Sequence, residues 1–451
     1  MAQDTAMLLE TFLKTNAAIR YFHYQWLDYS GFLCERVLPR DTCLAQATDC
    51  SPVKVASLCL IGLCDMHASN TFRPGDAAYL YPDWRSLRRM SEHHASVLCS
   101  VAEGYDCRSY PSTAAPFSKC PRSVLDRVLA YALANHGISF TAGFEIEFYL
   151  LDAAECLAFP LATRSSLVYL NGAVSLRGLH GKCVEACVDA LNAAGVVVQQ
   201  FHAESGPYQF EIVTGPLAAM LAVDALVQSL EIIRVTAQQS GLRACFLPKP
   251  FAESDPSGLH MNLSLHATAT HAARAPQDDP FIAGILQRLP GLCAIGMPLD
   301  SSYQRVGDMT TGQWVAWGTA SRDVPVRKSH DHWEFRTIDA TANPYLAMAA
   351  YIAAGLSGIE ARQSLTMDDC RMFMSLLRPE EKIAKGVCDS LPDDLPWAIW
   401  KFKDLIEEDS DFCRIAGNEW LDLFMIVQAS QNKTLQAMPE QDVGKLLLEF
   451  F

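Results

Sequence analysis

Apolar and polar positions alternate most sharply over Gly143-Phe-Glu-Ile-Glu-Phe-Tyr-Leu-Leu151. That two-residue period predicts a strand with Phe144, Ile146 and Phe148 on one face and Glu145 and Glu147 on the other. The same alternation recurs in Gln209-Phe-Glu211, His260-Met-Asn-Leu-Ser264 and Glu334-Phe-Arg336, giving three more strands with a polar face. Nearer the N-terminus, Ala18 to Trp26 and Phe32 to Pro39 flank Asp28-Tyr-Ser-Gly31, a run suited to a tight turn, and together predict a hairpin. Asp76 to Asp83 and Ala95 to Val101 add two strands. Helical spacing starts at Pro121 and leads into the Glu145 strand. Lys182 to Ala194 and Ala218 to Ser240 are further predicted helices, the second stopped by Gly241. Thr341 to Leu356 is Ala-rich and apolar around much of its circumference, the mark of a buried helix behind a sheet. The C-terminal part reads as mostly helical, and no internal repeat or low-complexity tract is present. This order predicts an α+β protein: a small β-rich unit over residues 1–117 and a larger unit over 118–451, with Tyr105 to Pro121 as the linker.

The polar face of these strands carries the candidate chemistry. Two carboxylates side by side on a buried strand cost several kcal/mol by a rough estimate unless cations or donors offset them, so Glu145 and Glu147 suggest a metal site. A half-exposed strand with two solvated glutamates is the competing reading. What favours the metal is the recurrence: Glu211, His260 and Glu334 face the same way, and Glu204 joins them if Ser205-Gly-Pro207 turns the chain back. Five carboxylates and one histidine fit Mg²⁺ or Mn²⁺. Arg305, Arg322, Arg327 and Arg336 lie in the part of the chain that also supplies Glu334. Acids for metals and planar guanidinium forks for anions suggest phosphoryl transfer, whereas any one of these arginines alone would read as half of a surface ion pair.

Composition narrows the setting. With 451 residues, half of them apolar, the chain can bury a large core. Met1 to Arg20 holds Asp4 and Glu10 and no uninterrupted apolar run, so it does not read as a signal peptide, and no later run is long and uncharged enough to span a bilayer. A cytoplasmic location is therefore expected. The 16 cysteines are scattered, which suggests reduced thiols, and Cys183-x-x-x-Cys187 has no second pair to complete a zinc site. A net charge of −15 argues against nucleic acid and anionic membrane as partners.

Taken together and in order, Glu145-Ile-Glu147, Glu204 to Glu211, Phe246-Leu-Pro-Lys-Pro250, Ser257-Gly-Leu-His260, Ser302-Tyr-Gln-Arg305, Glu334-Phe-Arg336 and Asn343-Pro-Tyr-Leu346 resemble the signature segments of the glutamine synthetase family. The resemblance runs from about Ile19 to the C-terminus and implies an N-terminal β-grasp domain before a catalytic domain with an antiparallel active-site sheet. It implies that Glu147, Glu204 and Glu211 hold one divalent ion, and that Glu145, His260 and Glu334 hold a second that bridges the phosphates of ATP. Arg305 would anchor the carboxylate of the acid substrate, Arg322 and Arg327 would face the phosphates, and Arg336 would steady the reacting carboxyl group. Ser264 matches a position on the nucleotide side. The reaction implied is activation of a carboxylate by ATP to an acyl phosphate, then attack by an amine. The family also implies a large ring-shaped homo-oligomer, a decamer or dodecamer, with Asp65 reaching across from a neighbouring subunit.

The departures are specific. Asp255 and Pro256 stand where an Asn-Gly pair that helps hold glutamate is usual, Asn262 stands in place of a second histidine, and His332 in place of an arginine, the last two on the ATP side. The loop that usually brings a glutamate over the ammonia site reads Val306-Gly-Asp-Met-Thr-Thr-Gly-Gln313, with Thr310 or Thr311 at that point and Asp308 the nearby acid. The expectation is a ligase for small acids and amines that makes a γ-glutamyl-type amide with an amine other than ammonia. An ordinary glutamine synthetase, a catalytically silent relative and a phosphotransferase remain the alternatives.

Overall fold

The computed structural model describes residues 2–49, 51–62, 76–103, 118–152, 170–268, 278–308 and 310–451. The first sheet is built from β1 (Tyr21–Leu27), β2 (Leu33–Pro39), β3 (Val53–Ala56), β4 (Ala77–Pro82), β5 (Arg88–Arg89) and β6 (His94–Glu103), in the order β2-β1-β6-β4-β3 with β5 on β6. The pair β1 and β6 is parallel and the other pairs are antiparallel. The predicted hairpin is present, with Leu27 opposite Leu33. Its turn is fastened by Asp28, whose Oδ1 accepts the Ser30 and Phe32 amides at 2.9 Å each. Gly31 sits at φ +80°, and a Cβ there would lie 2.7 Å from the Thr341 carbonyl oxygen, so the close approach admits glycine alone. Helices Ala2–Thr15 and Arg40–Asp49, which the apolar pattern did not indicate, flank this sheet.

The second sheet has nine strands: β7 (Ile138–Asp152), β8 (Val198–Ala203), β9 (Gln209–Thr214), β10 (Leu217–Ala218), β11 (Leu242–Cys245), β12 (Leu259–Ala267), β13 (Trp317–Gly318), β14 (Val326–Ser329) and β15 (His332–Phe335). Their order is β13-β14-β15-β12-β7-β9-β8, with β10 and β11 also paired to β7. The alternation read from the sequence is the alternation observed. Phe144, Ile146 and Phe148 are buried, and Phe148 packs beside Phe210 and Phe246 with ring centroids 6.4 and 5.6 Å away. Helices Pro121–His136 and Ala219–Gln239 pack on β7. Helix Pro344–Glu360 is buried along nearly its whole length, as its uniformly apolar sequence predicts, and is capped by Asn343, whose side-chain oxygen accepts the Tyr345 and Leu346 amides.

Buried polar contacts join the two units. The Asn343 amide donates to the Asp28 carbonyl at 2.8 Å. Arg122 forks onto Asp224 at 3.0 and 2.8 Å and also reaches Asp83, next to β4, at 2.7 Å, while the Tyr345 hydroxyl donates to Asp224 at 2.6 Å. The expected domain linker falls largely on 104–117 and lies outside the described residues, as does Asp65. No helix among the described residues is long and apolar enough to cross a membrane. Among those residues the cysteines are free thiols, most of them buried.

Candidate active site

Strand register lays the functional side chains out in rows. Glu147 on β7 stands opposite Glu211 on β9, and Glu211 stands opposite His202 on β8. In the neighbouring row Glu145 is opposite His260 on β12. Further along, Asn262 is opposite Glu334, and Glu334 opposite Arg327 on β14. Directly opposed residues have Cβ atoms about 5 Å apart, so each row is close enough for shared ligands. Glu204 is returned to the rows by a turn in which the Gln209 amide donates to the Gly206 carbonyl and the Glu204 amide to the Gln209 carbonyl.

His260 is 6% exposed, and its Nδ1 lies 3.1 Å from Glu145 and 3.5 Å from Glu334, while its Nε2 lies 3.6 Å from Glu147. The Asn262 amide donates to the other Glu145 oxygen at 3.1 Å, and the Gly258 amide to Glu147 at 2.8 Å. A Cβ on Gly258 would meet both Arg305 and His260 at 2.6 Å, so this glycine makes room for the two side chains. Burial raises the Glu145 carboxyl, yet the His260 contact outweighs it and holds the group down at about 2. Burial and Arg336 oppose protonation of His260, and the surrounding carboxylates overcome them and raise it. Glu204 is the opposite case. Burial, reinforced by Glu147 and Glu211, pushes its carboxyl up to about 7, and Glu211 is raised too, mainly by burial.

A cluster of carboxylates crowded until one resists ionising is a site with a deficit of positive charge. Its donors are hard oxygens with imidazole nitrogen, which suits Mg²⁺ or Mn²⁺. Two groups have ligand atoms within 4.8 Å of one another: Glu145, Glu211 and His260, and His202, Glu204 and Glu211. This differs from the sets expected from the resemblance in two respects. Glu211 is shared, and Glu334 is drawn aside because Arg336 takes one of its oxygens at 2.6 Å and Arg327 the other at 2.9 Å. A second histidine stands beside these acids: His202 Nε2 lies 3.1 Å from Glu211 and its Nδ1 3.6 Å from Glu204. The signal for it was the His-x-Glu spacing of His202 and Glu204, the same alternation that marked Glu145 and Glu147.

The remaining expected residues are distributed unevenly. Arg305 is 2% exposed and donates to the Ile338 and Arg336 carbonyls at 3.1 and 3.0 Å, with Asp339 at 3.7 Å. Ser264 lies on the same face of β12 as His260 and Asn262, and His332 on the same face of β15 as Glu334, 3.2 Å from Asp331. Asp255 is half-buried and its carbonyl accepts the Tyr149 hydroxyl at 2.9 Å. Arg322 and Asp308 are exposed. The loop after Arg305 folds on itself: the Thr310 hydroxyl is shared between the Arg305 and Gly307 carbonyls at 2.6 and 2.9 Å, and the Thr310 carbonyl accepts Arg336 at 3.3 and 2.8 Å. The buried Thr311 hydroxyl has no partner among the described residues.

An acid-lined, mainly antiparallel sheet backed by a buried helix, with arginines facing its carboxylates, is the architecture of the glutamine synthetase catalytic domain, and the family model of that description matches residues 118–442. The chain belongs to the glutamine synthetase family. It is 29% identical over 460 residues to protein fluG of Emericella nidulans, covering 98% of this chain and 50% of that protein, so it spans about half that relative's length. Type-1 glutamine synthetase 1 of Dictyostelium discoideum is 26% identical over 467 residues, covering 97% and 91%. The gamma-glutamylpolyamine synthetase GlnA3 of Streptomyces coelicolor is 32% identical over 312 residues, covering 64% of this chain and 65% of that enzyme. Among solved structures, a GmaS/ADP complex shares the fold with a TM-score of 0.78 at 23% identity, over 95% of this chain and 97% of that one.

Proposed function

We propose that this chain is an ATP-dependent ligase that activates a carboxylate as an acyl phosphate and joins it to a primary amine larger than ammonia, giving a γ-glutamyl-type amide. The loop from Val306 to Gln313 carries the proposal. Ammonium must lose a proton before it attacks, and a carboxylate over the site both accepts that proton and gathers the cation. Here the Thr310 hydroxyl is turned into its own loop and Asp308 is exposed. A small side chain at that point also leaves space for a substituted amine. The name of GlnA3, a gamma-glutamylpolyamine synthetase, supports the same class of product.

In this reading divalent ions held by Glu145, Glu147, Glu204, Glu211, His260 and Glu334 neutralise phosphate charge when bound. Arg336 and Arg327, now spent on Glu334, turn to the reacting carboxyl group and the phosphates, with Arg322 reaching in from its exposed loop. Ser264, Asn262 and His332 form the nucleotide side. Asp255 borders the acid subsite. Arg305 gives one N–H from each terminal nitrogen to a carbonyl, and its remaining N–H donors are the ones that would hold the anchoring carboxylate. An open cavity would lose an acyl phosphate to water, so the proposal includes a ring-shaped decamer or dodecamer in which a neighbour's N-terminal domain, through Asp65, closes the site. The working location is the cytoplasm.

The test is a competition at fixed ATP and glutamate between ammonium and a panel of monoamines, diamines and polyamines, read as ratios of kcat/KM. Preference for an amine is expected. Preference for ammonium makes this an ordinary glutamine synthetase, and absence of ADP release with every pair makes it a silent relative.

A further inference from the structure

The edge strand β8 presents its histidine to the acidic face only through an irregularity. Val198 pairs with Thr214, but Gln200 rather than Gln199 pairs with Val213, so Gln199 is an extra residue in a β-bulge. Without it the register would set Phe201 opposite Glu211 and turn His202 to the apolar face, because a slip of one residue inverts every side chain that follows. With it Phe201 pairs with Ile212 and His202 with Glu211. The bulge exchanges a phenyl ring for an imidazole beside two carboxylates.

That imidazole is held as a ligand is held. Nδ1 lies 3.2 Å from the Ala203 carbonyl oxygen, a contact in which only the nitrogen can donate. This keeps a proton on Nδ1 and, in the neutral ring, leaves the lone pair on Nε2, the arrangement common to metal-bound histidines. Nε2 lies 3.1 Å from Glu211 while Glu204 is 3.6 Å from Nδ1, and one ligand atom each of His202, Glu204 and Glu211 lie within 4.8 Å of one another. Nε2 is thus the ring nitrogen that faces the Glu211 carboxylate and is open to an ion placed there.

We propose that His202, through Nε2, is a further ligand of the divalent ion at Glu204 and Glu211, and that this nitrogen makes the position select Mn²⁺ over Mg²⁺. The inference rests on the two-metal reading of the acidic sheet. Mg²⁺ keeps to oxygen ligands and water, whereas imidazole raises affinity for transition ions. His260 supplies a nitrogen to the other ion, so the two positions are expected to give two nitrogen-coupled Mn²⁺ signals.

The experiment uses the full chain stripped with EDTA, as wild type, His202→Ala and the bulkier His202→Gln, titrated separately with Mn²⁺ and Mg²⁺. Calorimetry reads affinity, and pulsed electron paramagnetic resonance reads ¹⁴N couplings to bound Mn²⁺. The expected result is loss of one of the two nitrogen-coupled signals in a variant that still melts cooperatively. Mn²⁺ affinity at that position should fall about 10- to 100-fold and Mg²⁺ affinity far less. Unchanged couplings overturn the proposal. So does an equal loss for both ions, which leaves His202 an electrostatic role only. Wild-type chain that binds neither ion overturns the two-metal reading itself, an outcome separate from any effect of the variants.

Discussion

Glu204→Gln is expected to stabilise the metal-free protein while weakening its response to metal. The Glu204 side chain is 18% exposed, and burial beside Glu147 and Glu211 pushes its carboxyl from the ordinary 4.5 up to about 7. Between those values the folded state keeps a proton that the unfolded chain has released, so the stability of the metal-free fold falls as pH rises and levels off above about pH 7. A difference of that size is of order 3 kcal/mol. Glutamine has the shape of the protonated acid and carries no such penalty. In EDTA the variant should therefore exceed wild type by about 3 kcal/mol at pH 8 and by less than about 1 kcal/mol at pH 5. Comparison at each pH cancels most contributions from other groups. Saturating Mg²⁺ or Mn²⁺ should close the gap, because a ligand at a hundredfold excess over Kd adds about 2.7 kcal/mol to wild type and less to a chain lacking one charged donor. Urea unfolding followed by tryptophan fluorescence, with and without EDTA at both pH values, reads all four states. A variant less stable than wild type in EDTA at pH 8, or a gap that does not widen between pH 5 and pH 8, would refute the reasoning.

Glu145→Gln, Glu211→Gln and Glu334→Gln should each abolish ATP-dependent turnover with the melting transition retained, since each removes a charged donor with little change of shape; unchanged calorimetric metal stoichiometry in all three removes the basis of the site. Asp224→Asn leaves the buried Arg122 guanidinium with Asp83 as its remaining carboxylate and should cost about 3–5 kcal/mol in urea unfolding, and a cost below about 1 kcal/mol contradicts the account of that junction. Solution mass should correspond to ten or twelve copies, and an active monomer rules the ring out.

The strands bearing the acids were legible because a half-buried strand writes its two faces into alternate residues, and Glu145, Glu147, Glu211 and Glu334 lie on the polar face that alternation assigns them. Alternation does not reveal which strands are neighbours. His260 meets Glu145 from 115 positions away because β12 lies beside β7, and only pairing shows it. His202 was marked only by its spacing from Glu204, since the bulge at Gln199 breaks the period that would have linked it to the upstream valines. Arg327 and Arg336 could be recognised as cations, but their engagement with both oxygens of Glu334 depends on the register of β14 against β15. The helix Arg40–Asp49 left no apolar stripe to read because Cys43 and Ala47 are its only buried residues.

The central position of β7 has a consequence for synthesis. Its fifteen residues leave the ribosome well before the strands that pair with it, β9 to β12, and β15 follows later still. Until residue 267 has emerged, a nascent chain carries a long apolar strand with unpaired edges, the kind of surface that recruits chaperones or sticks to another copy. The row that holds Glu334 cannot be completed until β15 arrives. Fragments ending between β7 and β15 should therefore appear as insoluble or chaperone-bound material rather than as enzymes of reduced activity.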